Sequence, residues 1–167
     1  MSKTKCPERV RVTTDGPDHL IWRSELLAEL AIMRVGELTI FKPPRGGLAL
    51  PFQFVAVSSS GSCFAGEVAA YSSCLLKIEP ESIAVLELEV DAERVRTARQ
   101  IRTPTFMFLF DADRDHGRYL RLDTQPKPAD GAKTVVLSFP VANAITADSV
   151  RALVVALEKE RAVPVAG

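Results

Sequence analysis

Net charge is what this sequence lacks most plainly: 21 Lys and Arg residues stand against 21 Asp and Glu residues over 167 positions. Proteins that draw their affinity from phosphate contacts ordinarily carry a basic excess, so a dedicated nucleic-acid binder is disfavoured. Cysteine is also sparse. The three present, Cys6, Cys63 and Cys74, are odd in number and form no C-x-x-C pair, which argues against a disulfide framework or a thiolate metal centre. A reduced, cytoplasmic protein is the simplest expectation. No apolar run approaches the roughly 18 residues needed to cross a bilayer. The opening "MSKTKCPERVRVTTDGPDH" has no signal-peptide core, so no membrane partner is expected.

What is present is apolar material in periodic array. Hydrophobic residues make up 47% of the chain, enough for one domain with a packed core. Residues 1–19 are polar and hold the turn formers Asp15, Gly16 and Pro17, which reads as a loosely held arm preceding a single domain over 20–167. A helix is expected from an N-cap at Ser24 to a stop at Gly36. Leu26, Leu30 and Met33, with Leu27 beside them, form its apolar stripe, and Glu25 and Glu29 share the other side.

Strands are expected at 37–42, 52–57, 63–71, 82–90, 105–110, 117–123 and 134–139. The second and third, joined by "SSSGS", should form an antiparallel hairpin. A short polar helix over 91–101 begins at Asp91, and a final helix over 146–160 is capped by Thr146. This order predicts an α/β or α+β fold, a mixed β-sheet flanked by helices.

One carboxylate stands out. Alternation in the strand 63–71 puts Glu67 and Ala69 on one face, and the hairpin brings Gln53 toward the same place. The plain reading of a lone glutamate in such a strand is a solvent-facing group or one paired with an arginine. Taken with the helix and strands around it, however, the arrangement resembles the PD-(D/E)XK superfamily, the restriction-endonuclease-like nucleases. "SELLAELAIMRVGELTIFKPP" is similar to that family's leading helix and first strand. "PFQFVAV" is similar to its Asp strand, with Gln53 at the Asp position, and "FAGEVAAYSS" to its Glu-x-Lys strand, with Glu67 kept and Ala69 at the Lys position.

The resemblance spans about residues 24 to 160 and implies a restriction-endonuclease-like core with a degenerate catalytic centre. Magnesium wants an oxygen shell built on one or two carboxylates, and Gln53 offers only a neutral carbonyl oxygen. Ala69 cannot stabilise developing charge as a lysine would. The implied role is therefore a binding component without cofactor, acting through a protein partner or as a homodimer in a bacterial nucleic-acid-handling or defence system. The alternative is an active magnesium-dependent nuclease with a rearranged site, Glu25 or Glu29 supplying the missing ligand. An edge strand, or the final helix with its stripe of Val150, Leu153, Val154 and Leu157, is the expected interface.

Three other signals carry less. "DADRDHG" begins like a calcium loop but has His116 and Leu122 where Gly and Glu are required, so a polar hairpin turn is expected. Cys63 and Cys74 have no histidine nearby to activate them. The run "ERVRTARQIR" offers Arg96 and Arg99 to phosphate, although such a run is more often a solvated helix face.

Overall fold

The computed structural model describes residues 9–14, 18–35, 37–42, 53–61, 63–79 and 83–162. In chain order the elements are β1 (Arg9–Val12), α1 (Asp18–Met33), β2 (Leu38–Phe41), β3 (Phe54–Ser58), β4 (Cys63–Tyr71), α2 (Ser73–Leu76), β5 (Val85–Asp91), α3 (Ala92–Gln100), β6 (Thr105–Asp111), β7 (His116–Arg121), β8 (Thr134–Pro140) and α4 (Ala147–Ala162). The mixed α+β class follows the sequence expectation. The strands divide between two sheets, however, where one was anticipated: a five-stranded sheet ordered β2-β3-β4-β6-β7 and a three-stranded sheet ordered β1-β5-β8.

The larger sheet is the middle layer. β3 and β4 form the expected antiparallel hairpin, turning through Gly61 at φ 78°, a left-handed conformation that suits glycine. β4 then pairs in parallel with β6, Glu67 lying beside Met107. On one face, Phe54, Phe64, Phe106 and Phe108 pack beneath Ala28 and Ile32 of α1 and beneath Val150, Leu153, Val154 and Leu157 of α4. On the other face, Tyr71, Met107, Leu109 and Leu122 meet Leu86, Leu88, Leu137 and Phe139 of the smaller sheet, with Val95 and Ala98 of α3. Strand alternation thus feeds two cores from one sheet.

Gly66 allows the first core to close. A Cβ built there would stand 2.2 Å from Cζ of Phe54, so the Phe54 ring lies where any other side chain would be. The second core is stitched by Arg118. Its buried guanidinium donates to the carbonyls of Ile83 at 2.8 Å and Phe139 at 3.0 Å, tying β7 of one sheet to the flank of the other.

Several local expectations need correction. Arg9–Val12, assigned to a loose arm, is a strand paired in parallel with β5, and Val12 is buried; the arm's residues 1–8 lie outside the described residues. α1 begins at Asp18, so Ser24 is a buried mid-helix residue rather than the N-cap. The helix is also turned over: Leu26, Leu30 and Met33 are exposed, while Ser24, Ala28 and Ile32 face the sheet. The physical reason is the phenylalanine layer, which already fills that space and admits a helix only by its small side. The α4 stripe, expected at an interface, is core.

Thr146 does cap α4. Its Oγ1 accepts from the Ser149 amide at 3.0 Å while the Ser149 hydroxyl accepts from the Thr146 amide at 2.8 Å, a reciprocal cap. Asp91 likewise caps α3, accepting from the Glu93 amide at 2.8 Å. The Gly36 stop and the turn formers Asp15, Gly16 and Pro17 lie outside the described residues.

Candidate functional site

Glu67 occupies the middle of β4 on the face turned toward the smaller sheet, the side it shares with Ala69 and Tyr71. It is 6% exposed. A carboxylate this deep needs a partner, and Arg94 of α3 supplies one: its Nη1 donates to Oε2 of Glu67 at 2.5 Å. Burial pushes the Glu67 carboxyl above its ordinary range, and the charge and hydrogen bond of Arg94 work against that rise. Of the two plain readings of this glutamate, the arginine-paired one describes the geometry.

Gln53 precedes β3. Its carboxamide closes a two-way bridge to the main chain of Val68: Oε1 accepts from the Val68 amide at 2.7 Å, and Nε2 donates to the Val68 carbonyl at 3.5 Å. β4 runs past the first residue of β3, which leaves Val68 without a strand partner there. The glutamine side chain stands in for that missing strand, which explains why a donor-acceptor group suits this position.

Gln53 and Ala69 both line an open cavity of about 320 Å³ with Arg94, Glu89, Asp91 and Ile21. Two of the sequence-predicted positions, Gln53 and Ala69, therefore share one cavity wall, while Glu67 reaches that cavity only through its partner Arg94. The Glu67 carboxylate is neutralised by Arg94, the Gln53 carbonyl oxygen is committed to a peptide amide, and Ala69 contributes a methyl. This donor set does not fit a magnesium ion, which needs anionic oxygens with lone pairs to spare. Among the described residues no group of three His, Cys, Asp or Glu side chains is placed to hold a metal.

Of the two helix carboxylates, Glu29 is drawn away from Glu67. Ala28 and Ile32 of α1 pack on the opposite face of the sheet, Ile21 near its start lines the cavity, and Glu29 is ion-paired to Lys42 just beyond β2. Glu25 sits one turn earlier on the same helix. Arg96 and Arg99 are engaged by main chain. Arg96 donates to the carbonyls of Ala132 at 2.7 Å and Ala129 at 3.2 Å, and Arg99 donates to that of Gln125. Both fasten α3 to the loop between β7 and β8.

Sequence reasoning gave Arg94 no separate role, since nothing in "ERVRTARQIR" distinguishes it from its neighbours. It also missed the work of "DADRDHG". That segment is the β6–β7 turn, as expected, and its carboxylates hold the short helix α2. Asp111 accepts from the Ser73 amide at 3.2 Å, and Asp113 accepts from the Ser72 hydroxyl at 2.5 Å and the Cys74 amide at 3.0 Å. Those bonds from Ser72 and Cys74 hold Asp113 below the usual carboxylate range. Tyr71, buried and close to Asp111, is pushed up and stays a neutral phenol. Cys63 and Cys74 are free thiols.

What the fold and the site define is a mixed α+β domain whose buried strand glutamate, Glu67, is paired with Arg94. No protein-family model matches the sequence, and no curated protein matches it. Among solved structures the chain is similar to a nuclease from a fusselovirus, with a TM-score of 0.48 and 10% sequence identity over 86% of this chain and 93% of that one. No described helix is long and apolar enough to cross a membrane.

Proposed function

We propose that this chain is a binding component rather than a hydrolase: a degenerate member of the nuclease class that its sequence pattern resembles, acting through a protein surface in the cytoplasm. The bacterial nucleic-acid-handling or defence setting implied by the resemblance belongs to the same proposal. One observation carries it, the pairing of Glu67 with Arg94. Metal-assisted phosphodiester hydrolysis needs an anionic cage for the cation and a positioned group to activate water or stabilise charge. A carboxylate answered by an internal arginine, beside a glutamine and an alanine, provides neither. The rearranged-site alternative would draw on Glu25, one turn from the cavity-lining Ile21, since Glu29 is already paired with Lys42.

The test is direct. Purified protein incubated with magnesium or manganese and single-stranded DNA, double-stranded DNA or RNA is expected to leave each intact. Cleavage that vanishes in Glu67→Ala would overturn the proposal and restore the active-nuclease reading.

A further inference from the structure

Helix α1 carries a second apolar surface that the fold does not use. Trp22 is 61% exposed, Leu26 59%, Leu30 52% and Met33 58%. At about 100° per residue these four fall within an arc of roughly 80°, nearly opposite the arc of Ser24, Ala28 and Ile32 that faces the sheet. Scattered exposed hydrophobics need no explanation, but a continuous stripe including a tryptophan does.

We propose that this stripe is a homodimer interface, in which two copies of the chain pair their α1 helices side by side in parallel about a two-fold axis. Area supplies the first argument. The four side chains leave about 450 Å² of mostly apolar surface per protomer. Two copies together offer about 900 Å² of such surface, so a specific pairing, which begins at ~1,200 Å² in total, draws in the charged residues beside the stripe as well.

Charge supplies the second argument and sets the direction. Glu25 and Glu29 flank the stripe on one side, Arg23 and Arg34 on the other. A two-fold axis parallel to the helices brings the acidic flank of one copy against the basic flank of its mate, with Glu25 near the mate's Arg23. An axis across the helices would instead set Glu25 against Glu29 and Arg23 against Arg34, which like-charge repulsion opposes. Arg23 and Glu29 already have partners within the chain: Arg23 donates to the Ala112 carbonyl and pairs with Asp115, and Glu29 pairs with Lys42. Those pairs are partly exposed and leave each charge available to a neighbour, so the flanks act chiefly on orientation.

This proposal gives the binding role a specific partner, a second copy, and it rests on that role only in name. The cleavage assay decides the catalytic question and solution size decides this one, so either can fail alone. Sedimentation velocity over a concentration series is expected to show a monomer–dimer equilibrium in the micromolar range. Trp22, the sole tryptophan, should shift its emission to shorter wavelength as concentration rises. Leu26→Glu/Leu30→Glu, at positions already in solvent, should abolish both effects while leaving the circular dichroism spectrum unchanged, and the melting temperature unchanged at concentrations where the wild-type chain is monomeric.

Direction is read by cross-linking, with the wild-type chain setting the background from its own cysteines. Trp22→Cys and Met33→Cys, at opposite ends of the stripe, should each form a disulfide with their own kind under mild oxidation. A chain that stays monomeric at every concentration would overturn the proposal and leave the stripe to some other occupant. So would a dimer that persists in the double glutamate variant. Cross-links that form only when the two cysteine variants are mixed would overturn the parallel arrangement.

Discussion

The guanidinium of Arg94, on α3, meets the carboxylate of Glu67, on β4, across a distance of 2.5 Å, and the pair joins an element of the second core to the middle strand of the larger sheet. Glu67 is almost fully buried while the Arg94 side chain is half exposed. The pair is therefore lopsided: one partner suffers desolvation and the other largely does not. Its consequences for stability follow from that asymmetry.

Arg94→Ala should destabilise the fold at neutral pH by about 1–3 kcal/mol, because it strands a buried carboxylate. The pH dependence has a definite sign. The Glu67 carboxyl is raised above its ordinary value of 4.5, so the folded state binds a proton more readily than the unfolded chain. Stability from this group is then fully present below the unfolded value and lost as pH rises through the folded one. Removing Arg94 raises the folded value further and deepens that loss. Urea unfolding of both proteins across acid to neutral pH should show a gap that is widest near neutrality and closes on acidification. Glu67→Gln in the Arg94→Ala background should recover most of the difference.

Gly66→Ala should cost about 1–3 kcal/mol, the range of an overpacked core, since the new methyl lands on the Phe54 ring. Combining it with Phe54→Leu should cost less than the two single changes together. A double-mutant cycle by chemical denaturation measures that coupling; strict additivity would mean the ring does not need the space.

Arg118→Met keeps the length of the side chain and removes its donors. Leaving the Ile83 and Phe139 carbonyls without their donor should destabilise by at least about 2 kcal/mol. Arg118→Lys should recover only part, since an ammonium cannot span two carbonyls as a planar guanidinium does. Melting temperatures of the three proteins check the order.

Much of the local structure was legible from residues alone. The hairpin of β3 and β4, the caps at Asp91 and Thr146, and the buried strand "TFMFLF" each depend on neighbours close in sequence or on alternation within one element. The candidate site was half legible. Alternation put Glu67 and Ala69 on one face, but the partner of Glu67 lies 27 residues away, on a helix with three near-equivalent arginines. The bridge from Gln53 to Val68 was equally hidden, because it depends on where one strand outlasts its neighbour.

By itself the sequence determined the mixed α+β class and the order of the elements from α1 onward, α2 excepted, since these follow from composition and short-range periodicity. Tertiary structure decided which helix stripe went inward. α1 and α4 both offer apolar residues at helical spacing, and periodicity does not say which stripe is to be buried. The phenylalanines of β3, β4 and β6 occupy the volume above the sheet, so α1 approaches by Ser24, Ala28 and Ile32 and leaves Trp22, Leu26, Leu30 and Met33 in solvent, while α4 buries Val150, Leu153, Val154 and Leu157. Close packing made that choice, because the space left over a filled sheet is a property of the assembled layers and of no single element.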